Sequence, residues 1–545
     1  MTIQSDVNAM IVAAQPEAAE AGALILKAGG NAVDAAIAAA LVQTVVDPLM
    51  CGIAGFGSMG IYKPDAGVHE YVDFHAPAPL KATPTMWADL IEGETRDGFG
   101  FILKGAVNDV GYGSIAVPAT LKAFATAHAT HGKLLWRDLF QPAIRFAEKG
   151  WMVRPAVYGF WNDEGSLGRA SNHDRVKFTA EGRGLYLRPD GTPRRLGETI
   201  TNPGYAATLK RIAEVGAEDF YTGAIGQTIA ADMEAHGALM GADDLARYEP
   251  IRHAPMEGTY RGRRIATNQP PGGGIMLLQM LGILEHFDLK TMGHNSPEYI
   301  RVVCETMKRS TIDKDAHVGD PRFVDIPVDL LLSRQSAEAA AAEIRAGIKA
   351  HVPRYKANEV PKDTTHVSVV DAQGNCVTVT HSLGMPSGVI TEGLGFMYNG
   401  CMGVFDPRPG RAGSIAPGKS RFSAMCPTIV FNEGKVELVI GAPGGTQIVM
   451  GVLQAILNVV DFGMDMQEAV TAPRFSATSD AIDVTNRIPR WTTEPLEAMG
   501  YEVIRNPASY YFGVVHGIRV TPEGTLEGGA DPGRDGVAYG VKVKH

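Results

Sequence analysis

The segment Ala32–Val46 constrains the fold more than any other stretch. It is nearly all Ala, Ile, Leu and Val, with Asp34 and Gln43 as the strongly polar exceptions. A helix that is apolar on almost every side must be covered on almost every side, so this one is expected to lie between layers of structure. The Ala/Glu/Leu-rich run Pro16–Leu26 before it also reads as helix. Ala28-Gly29-Gly30-Asn31 ends that run, with glycine suited to a left-handed cap. A helix sandwiched in this way needs a large core around it, and 545 residues are enough to build one.

The remaining periodicities alternate between helix and strand. Helices are expected at 120–131, 137–149, 204–214, 224–236, 242–246 and 275–286, and at Ala337–Lys349 with Ser336 as N-cap. Strands are expected at 60–62, 67–74, 366–371, 376–381, 427–432, 436–441, 481–484, 501–505, 513–520 and 537–543. Residues 164–200, charged and rich in Gly and Arg, read as a surface excursion, and 351–362 as an exposed linker. Two strand-rich regions interleaved with buried helices imply stacked sheets covered by helices.

Composition narrows the partners. A formal net charge of −10 without a long basic run argues against nucleic acid and anionic membrane. Five scattered cysteines with no CxxC pair form neither a zinc site nor a disulfide framework, and fit a reducing compartment. With no signal-peptide pattern and no apolar run of about twenty residues, a cytoplasmic location is expected. Met50–Gly60 is Gly-rich but lacks a following GK[ST], so it reads as a tight turn into a strand rather than a phosphate cradle. Asp313, Asp315, His317 and Asp320 match no metal-ligand spacing, and neither metal nor cofactor is expected.

The chemistry-bearing candidate is Lys362-Asp363-Thr364-Thr365-His366-Val367-Ser368-Val369-Val370-Asp371. On its own this is the first strand of a hairpin, turning through Ala372–Asn375 into Cys376–Thr380. A sharper reading has the Asp363–Thr364 bond broken, so that the Thr364 hydroxyl becomes a nucleophile and its freed amine the base.

Motifs spread along the chain carry a resemblance. They include Gln15-Pro16-Glu17-Ala18, Gly29–Ala36, Val117–Thr120, Gly132–Trp136, Gln141–Arg145 and Pro271–Gly274. Thr364–Asp371, Met425–Val430, Gly441–Gly445, Ala472–Phe475 and Ala530–Gly536 continue the series in order. Together they resemble the γ-glutamyltranspeptidase family of N-terminal-nucleophile hydrolases. The resemblance implies an α/β (α+β) fold, a four-layer α-β-β-α sandwich. It implies a precursor cut at Asp363–Thr364 into a large piece, 1–363, and a small piece, 364–545, forming one intertwined domain. The assembly would then be one heterodimer or a pair of them. Thr364 is the implied nucleophile, Ser382 a second hydroxyl that steadies it, and Gly444 and Gly445 the oxyanion hole.

The departures from the family pattern concern its glutamyl clamp. His75 stands where an arginine is expected, and Gly384 stands in place of an asparagine. Asn399–Val404 lacks the usual carboxylate, and Ser423-Ala424 replaces paired serines. Histidine for arginine weakens bidentate carboxylate recognition. The expected activity is therefore hydrolysis of a small non-glutamyl amide, of oxamate or acylase type, with His75, Ser423 and Arg421 as candidate substrate contacts. A γ-glutamyl transferase or glutathione hydrolase with altered contacts is the alternative, and an inactive binding protein on the same fold is a second. Asp531, Arg534 and Asp535 are expected to form structural ion pairs.

Overall fold

The computed structural model describes residues 7–163, 169–354, 364–507 and 509–543. Asp363 and most of the expected linker lie outside the described residues. Two antiparallel sheets form the centre. In the first, seven strands run in the order Val537–Val541, Ala9–Ala13, Thr365–Val370, Cys376–Ser382, Phe56–Lys63, Val68–Phe74 and Ile251–His253. The second orders six strands as Leu526–Ala530, His516–Val520, Lys435–Gly441, Thr428–Asn432, Arg263–Thr267 and Met256–Tyr260. Met10, Val12, Val370, Ile429, Val439 and Ile518 belong to one apolar cluster that draws on both sheets. The Thr378 hydroxyl donates to the Ile440 carbonyl between them at 3.2 Å. Helices Pro16–Lys27 and Ala32–Val46 pack on the first sheet, and Gly274–Leu284, Gln447–Val460 and Met466–Thr471 on the second. This is the expected α-β-β-α sandwich.

All fifteen residues of Ala32–Val46 are buried, and its two polar exceptions each have a structural reason. Asp34 closes a capping box with Asn31 and also accepts the Lys133 and Leu134 backbone N–H groups at 3.0 and 3.1 Å. Gln43 donates to the Thr365 hydroxyl at 2.9 Å and the His366 carbonyl at 3.2 Å, and accepts from His381 Nε2 at 2.8 Å. One amide thus ties the covering helix to both central strands.

Several local expectations need correction. Residues 137–149 form two helices, Trp136–Leu139 and Gln141–Lys149, rather than one. The helix expected at Ala337–Lys349 runs Arg334–Arg345. Ser333, not Ser336, caps it by accepting the Ser336 N–H at 3.1 Å, and Gly347 at φ +76° turns the chain away. The 21-residue helix Pro297–His317 escaped the sequence pattern because its buried face includes charge. Glu305 there pairs with Arg309 at 2.7 Å and accepts the Tyr501 hydroxyl at 3.1 Å. Within 169–200, helices Asn172–Val176 and Ala180–Tyr186 form and Arg175 is fully buried against Asp109 at 2.8 Å, so the first part is anchored in the core, while 188–199 runs over the surface as expected. Of the expected exposed linker, 351–354 is pinned: Val352 is buried, and Arg354 pairs with Asp315 at 2.6 Å. Among the described residues no helix is long and apolar enough to cross a membrane.

Replacing Gln43 with Leu would leave the His366 carbonyl and the His381 N–H without that partner in a dry core. The expected cost is about 3 kcal/mol, read as a lower urea midpoint at unchanged slope. A change under about 0.5 kcal/mol would contradict the tie.

Acid should destabilise the fold before its carboxylates titrate. Burial depresses the basicity of His366, of His381 to about 3 and of His516 to about 4. The unfolded chain binds protons at these positions below about pH 6.5, while the folded chain does not. Stability is therefore complete above that pH and falls below it, by roughly 2 kcal/mol per such histidine at pH 5. A melting temperature that stays flat between pH 7.5 and pH 5 would contradict this.

Candidate active site

Strand pairing brings the first two candidate residues together. Thr365 sits opposite His381 in the ladder, which sets Thr364 beside Ser382 at the end of the neighbouring strand. The Thr364 hydroxyl donates to Ser382 Oγ at 3.3 Å, and both residues are buried. Ser382 Oγ also accepts the Gly384 N–H at 2.8 Å, in a turn where Gly384 has φ +78°. The Ser382 oxygen is thereby held by a backbone donor while it touches the Thr364 hydroxyl.

The glycine pair lies between strand Lys435–Gly441 and helix Gln447–Val460, and Gly445 lines the same cavity as Thr364. The Gly444 and Gly445 carbonyls accept the Gln447 and Ile448 N–H groups at 3.0 and 3.2 Å, which starts the helix. Their own N–H groups donate to no acceptor among the described residues. Gly444 has φ +136°, and a Cβ there would lie 2.8 Å from Gly513 Cα, so the position admits only glycine. Free backbone donors at the positive end of a 14-residue helix suit a developing oxyanion.

Thr364, Gly384, Gly445, Arg421, Ser423 and Phe99 line one cavity. Ser423 is seated by its N–H to the Pro271 carbonyl at 2.8 Å, and the Gly273 N–H donates to the Met425 carbonyl at 2.8 Å. The Pro271–Gly274 turn and the Met425–Val430 motif, far apart in sequence, therefore form one wall. Arg421 is 4% exposed. Its Nε donates to the Phe422 carbonyl at 2.9 Å, its Nη1 approaches Cys401 Sγ at 3.7 Å, and its plane lies 4.6 Å from the Phe56 ring centre. Burial pulls its pKa down, and the neighbouring Arg169 adds to that shift.

His75 does not line this cavity. The segment after Phe74 is drawn to residues 418–420, with the Ala78 N–H on the Lys419 carbonyl at 2.8 Å. His75 lines a second cavity with Ser420, Tyr248 and Asp73. Its Nε2 is 3.7 Å from Asp73 Oδ2, and neither ring nitrogen has a hydrogen-bond partner among the described residues. Asp73 itself accepts His253 Nε2 at 2.6 Å and the Ser58 hydroxyl. These bonds and the two neighbouring imidazoles hold its carboxyl below the usual range, against burial, which pushes the other way. His253 also contacts the Ala254 carbonyl through Nδ1 at 2.8 Å, so both ring nitrogens face oxygen acceptors and its pKa is raised.

Asp531 pairs with Arg474, and Asp535 with Arg154 at 3.1 Å, while Arg534 Nη1 reaches Met50 Sδ at 3.0 Å. Among the described residues no group of His, Cys, Asp or Glu is arranged to hold a metal, and all five cysteines are unbridged and buried. Phe56, Phe99 and Thr446 also line the Thr364 cavity but were not singled out from the sequence. Thr446 directly follows the glycine pair, and that adjacency was the available signal. Phe56 and Phe99 come from distant segments and offered none.

The γ-glutamyltranspeptidase family model matches residues 18–541. The chain is 36% identical over 538 residues to the acylase ACY 1 proenzyme of Pseudomonas sp. (strain SE83), covering 98% of this chain and 93% of that protein. It is 33% identical to the glutathione hydrolase proenzyme of Escherichia coli (strain K12), covering 96% and 90%. The structure of a cephalosporin acylase from Bacillus halodurans superposes with a TM-score of 0.87 at 28% identity, covering 99% and 97% of the two chains. The chain is therefore an enzyme acting on amide bonds, and it belongs to the γ-glutamyltranspeptidase family of N-terminal-nucleophile hydrolases.

Proposed function

We propose that this protein is a self-processing hydrolase of a small, non-glutamyl amide, with Thr364 as nucleophile. The observation that carries the reading is the Thr364 hydroxyl, 3.3 Å from Ser382 Oγ and in one cavity with Gly445. The proenzyme names of two similar proteins support processing. In the precursor, the Thr364 oxygen attacks the Asp363 carbonyl. The peptide nitrogen leaves protonated as an α-amine, and water opens the resulting ester. That amine, with a pKa of about 7.7–8.0, then takes the hydroxyl proton as Thr364 attacks the substrate amide. It passes the proton to the departing amine, leaving an ester on Thr364 that water hydrolyses. The Gly444 and Gly445 N–H groups stabilise each tetrahedral oxyanion, and one such donor is worth roughly 3 kcal/mol of barrier. Ser382, fixed by the Gly384 N–H, keeps the nucleophile's hydroxyl in place.

Substrate choice rests on the lost glutamyl clamp. Gly384 and Cys401 offer no carboxylate for an α-ammonium, and Val404 adds an apolar wall. Similarity to a glutathione hydrolase favours the second reading, γ-glutamyl transfer. Rapid turnover of glutathione with a dipeptide acceptor would establish that reading in place of ours.

Thr364→Ala should remain a single chain of 58.1 kDa, while wild type splits into 1–363 and 364–545. Intact mass decides this, and splitting of the variant at the same bond would remove Thr364 from the mechanism. Ser382→Ala should still fold but lower kcat about 100-fold with a smaller effect on KM. An unchanged kcat in the processed variant would remove Ser382 from its role.

A further inference from the structure

The run from Lys349 to Arg354 precedes the proposed cut and is fastened to residues that follow it. Lys349 Nζ donates to the Met499 carbonyl at 2.5 Å, the Val352 N–H to Asp480 Oδ1 at 2.7 Å, and Arg354 Nη2 to the Thr478 carbonyl at 2.8 Å. Arg354 is the last of these anchors before Thr364, and its side chain is 5% exposed. Its Nη1 pairs with Asp315 at 2.6 Å and lies 3.6 Å from Glu94, while Nε donates to the Arg96 carbonyl at 3.2 Å. One planar guanidinium thus meets two carboxylates and two backbone carbonyls, which fixes its plane as well as its position.

Both carbonyl partners lead to the start of helix Gln447–Val460. Next to Arg96, the Asp97 carboxylate accepts the Thr446 hydroxyl at 3.3 Å. On the other route, the Thr478 hydroxyl accepts Gln447 Nε2 at 3.5 Å. Thr446 and Gln447 directly follow Gly444 and Gly445. Gly98 and Phe99, next along the same tip, line the Thr364 cavity. Arg354 packs straight onto that tip: a Cβ on Gly98 would lie 2.6 Å from its Nη2, and the φ of +70° there already disfavours a side chain. Arg96 also holds the tip through Asp483, at 2.7 and 3.0 Å, so losing Arg354 loosens it without detaching it.

We propose that Arg354 is a positioning residue for self-cleavage. It sets the point where the chain enters the scissile segment relative to the Gly444 and Gly445 donors. The proposal rests on Thr364 being the nucleophile. In that step the Thr364 oxygen bonds to the Asp363 carbonyl carbon, the carbon–nitrogen bond breaks, and the nitrogen keeps the hydroxyl's proton. Water then hydrolyses the ester, leaving the Asp363 carboxyl and restoring the hydroxyl. The carbonyl oxygen is negative only in passing, so donors that are slightly misplaced lose most of their effect. Arg354 acts through Arg96, Asp97 and Thr478 rather than on the reacting atoms.

The test follows full-length chains made by cell-free synthesis, with intact mass read at intervals after translation is stopped. Arg354→Ala should split about 30-fold more slowly than wild type. Arg354→Lys, which keeps the charge beside Asp315 but cannot fork to two carbonyls, should split about 5-fold more slowly. Arg263→Ala, which breaks an ion pair with Glu437 in the second sheet, controls for stability. Melting temperatures are measured for the same substitutions in the uncleaved Thr364→Ala chain. Slowing in Arg354→Ala far beyond what Arg263→Ala shows per degree of lost melting temperature supports the proposal. Splitting at the wild-type rate, or slowing in both variants in step with lost stability, overturns it. If Arg354→Ala yields no folded chain, Arg354→Lys decides by the same two criteria. A wild type that stays whole removes self-cleavage itself, whereas a wild type that splits beside an unaffected Arg354→Ala removes only the role of Arg354.

Discussion

The strand that opens at Thr365 is fastened at both ends to one helix, and the rest of the site depends on that. At the start, Gln43 holds the Thr365 hydroxyl and the His366 carbonyl. Beyond the far end, Asp371 accepts the Ala32 N–H at 2.9 Å, at the first residue of the same helix. The lengths agree: Ala32 to Gln43 rises about 17 Å as helix and Thr365 to Asp371 about 20 Å as strand. Slippage by one residue would break both fastenings and turn every side chain of the strand to the opposite face. Thr364, one residue before the first fastening, inherits its position from that register. So does the facing Ser382, because His381 is held by the same Gln43 amide.

That arrangement explains what was legible in the sequence. Ala32–Val46 and the strands around 366–381 were read nearly to the residue, because periodicity and burial agree there. Gln43 and Asp34 stood out as polar residues in an apolar helix, but nothing local revealed their partners, which lie hundreds of positions away in one case and about a hundred in the other. Pro297–His317 was missed because it buries Glu305 and Arg309 as a pair, and an ion pair in a core reads as polar surface when only spacing is available. The Thr364, Ser382 and Gly444-Gly445 positions came from motif resemblance, and the fold brings Thr364 and Gly445 to one cavity. His75 illustrates the limit. Aligned position placed it with the substrate contacts, but the pairing of Ala78 with Lys419 seats it in the second cavity.

Charge inside the molecule is arranged on two principles. Where it serves the fold it is matched: Asp109 by two arginines, Asp531 by Arg474, Asp73 by His253. Asp109 and Asp73 are held ionised against burial by near neighbours, and removing one partner would strand a charge in the core. At Arg421, which borders the Thr364 cavity, no carboxylate among the described residues meets the guanidinium, which bonds the Phe422 carbonyl and Cys401 Sγ instead.

Cleavage before Thr364 would be compatible with this fold because the two pieces would be woven rather than docked. Strand Ala9–Ala13, from the large piece, lies between Thr365–Val370 and Val537–Val541, both from the small one. Phe56–Lys63 then closes on the other side of Cys376–Ser382, and in the second sheet Arg263–Thr267 pairs with Thr428–Asn432. Separating the pieces would therefore strip hydrogen bonds from both sheets and expose the cluster between them. Breaking one peptide bond removes none of those pairings. It would convert the residue before the first fastening into a chain end while the register that positions it stays intact.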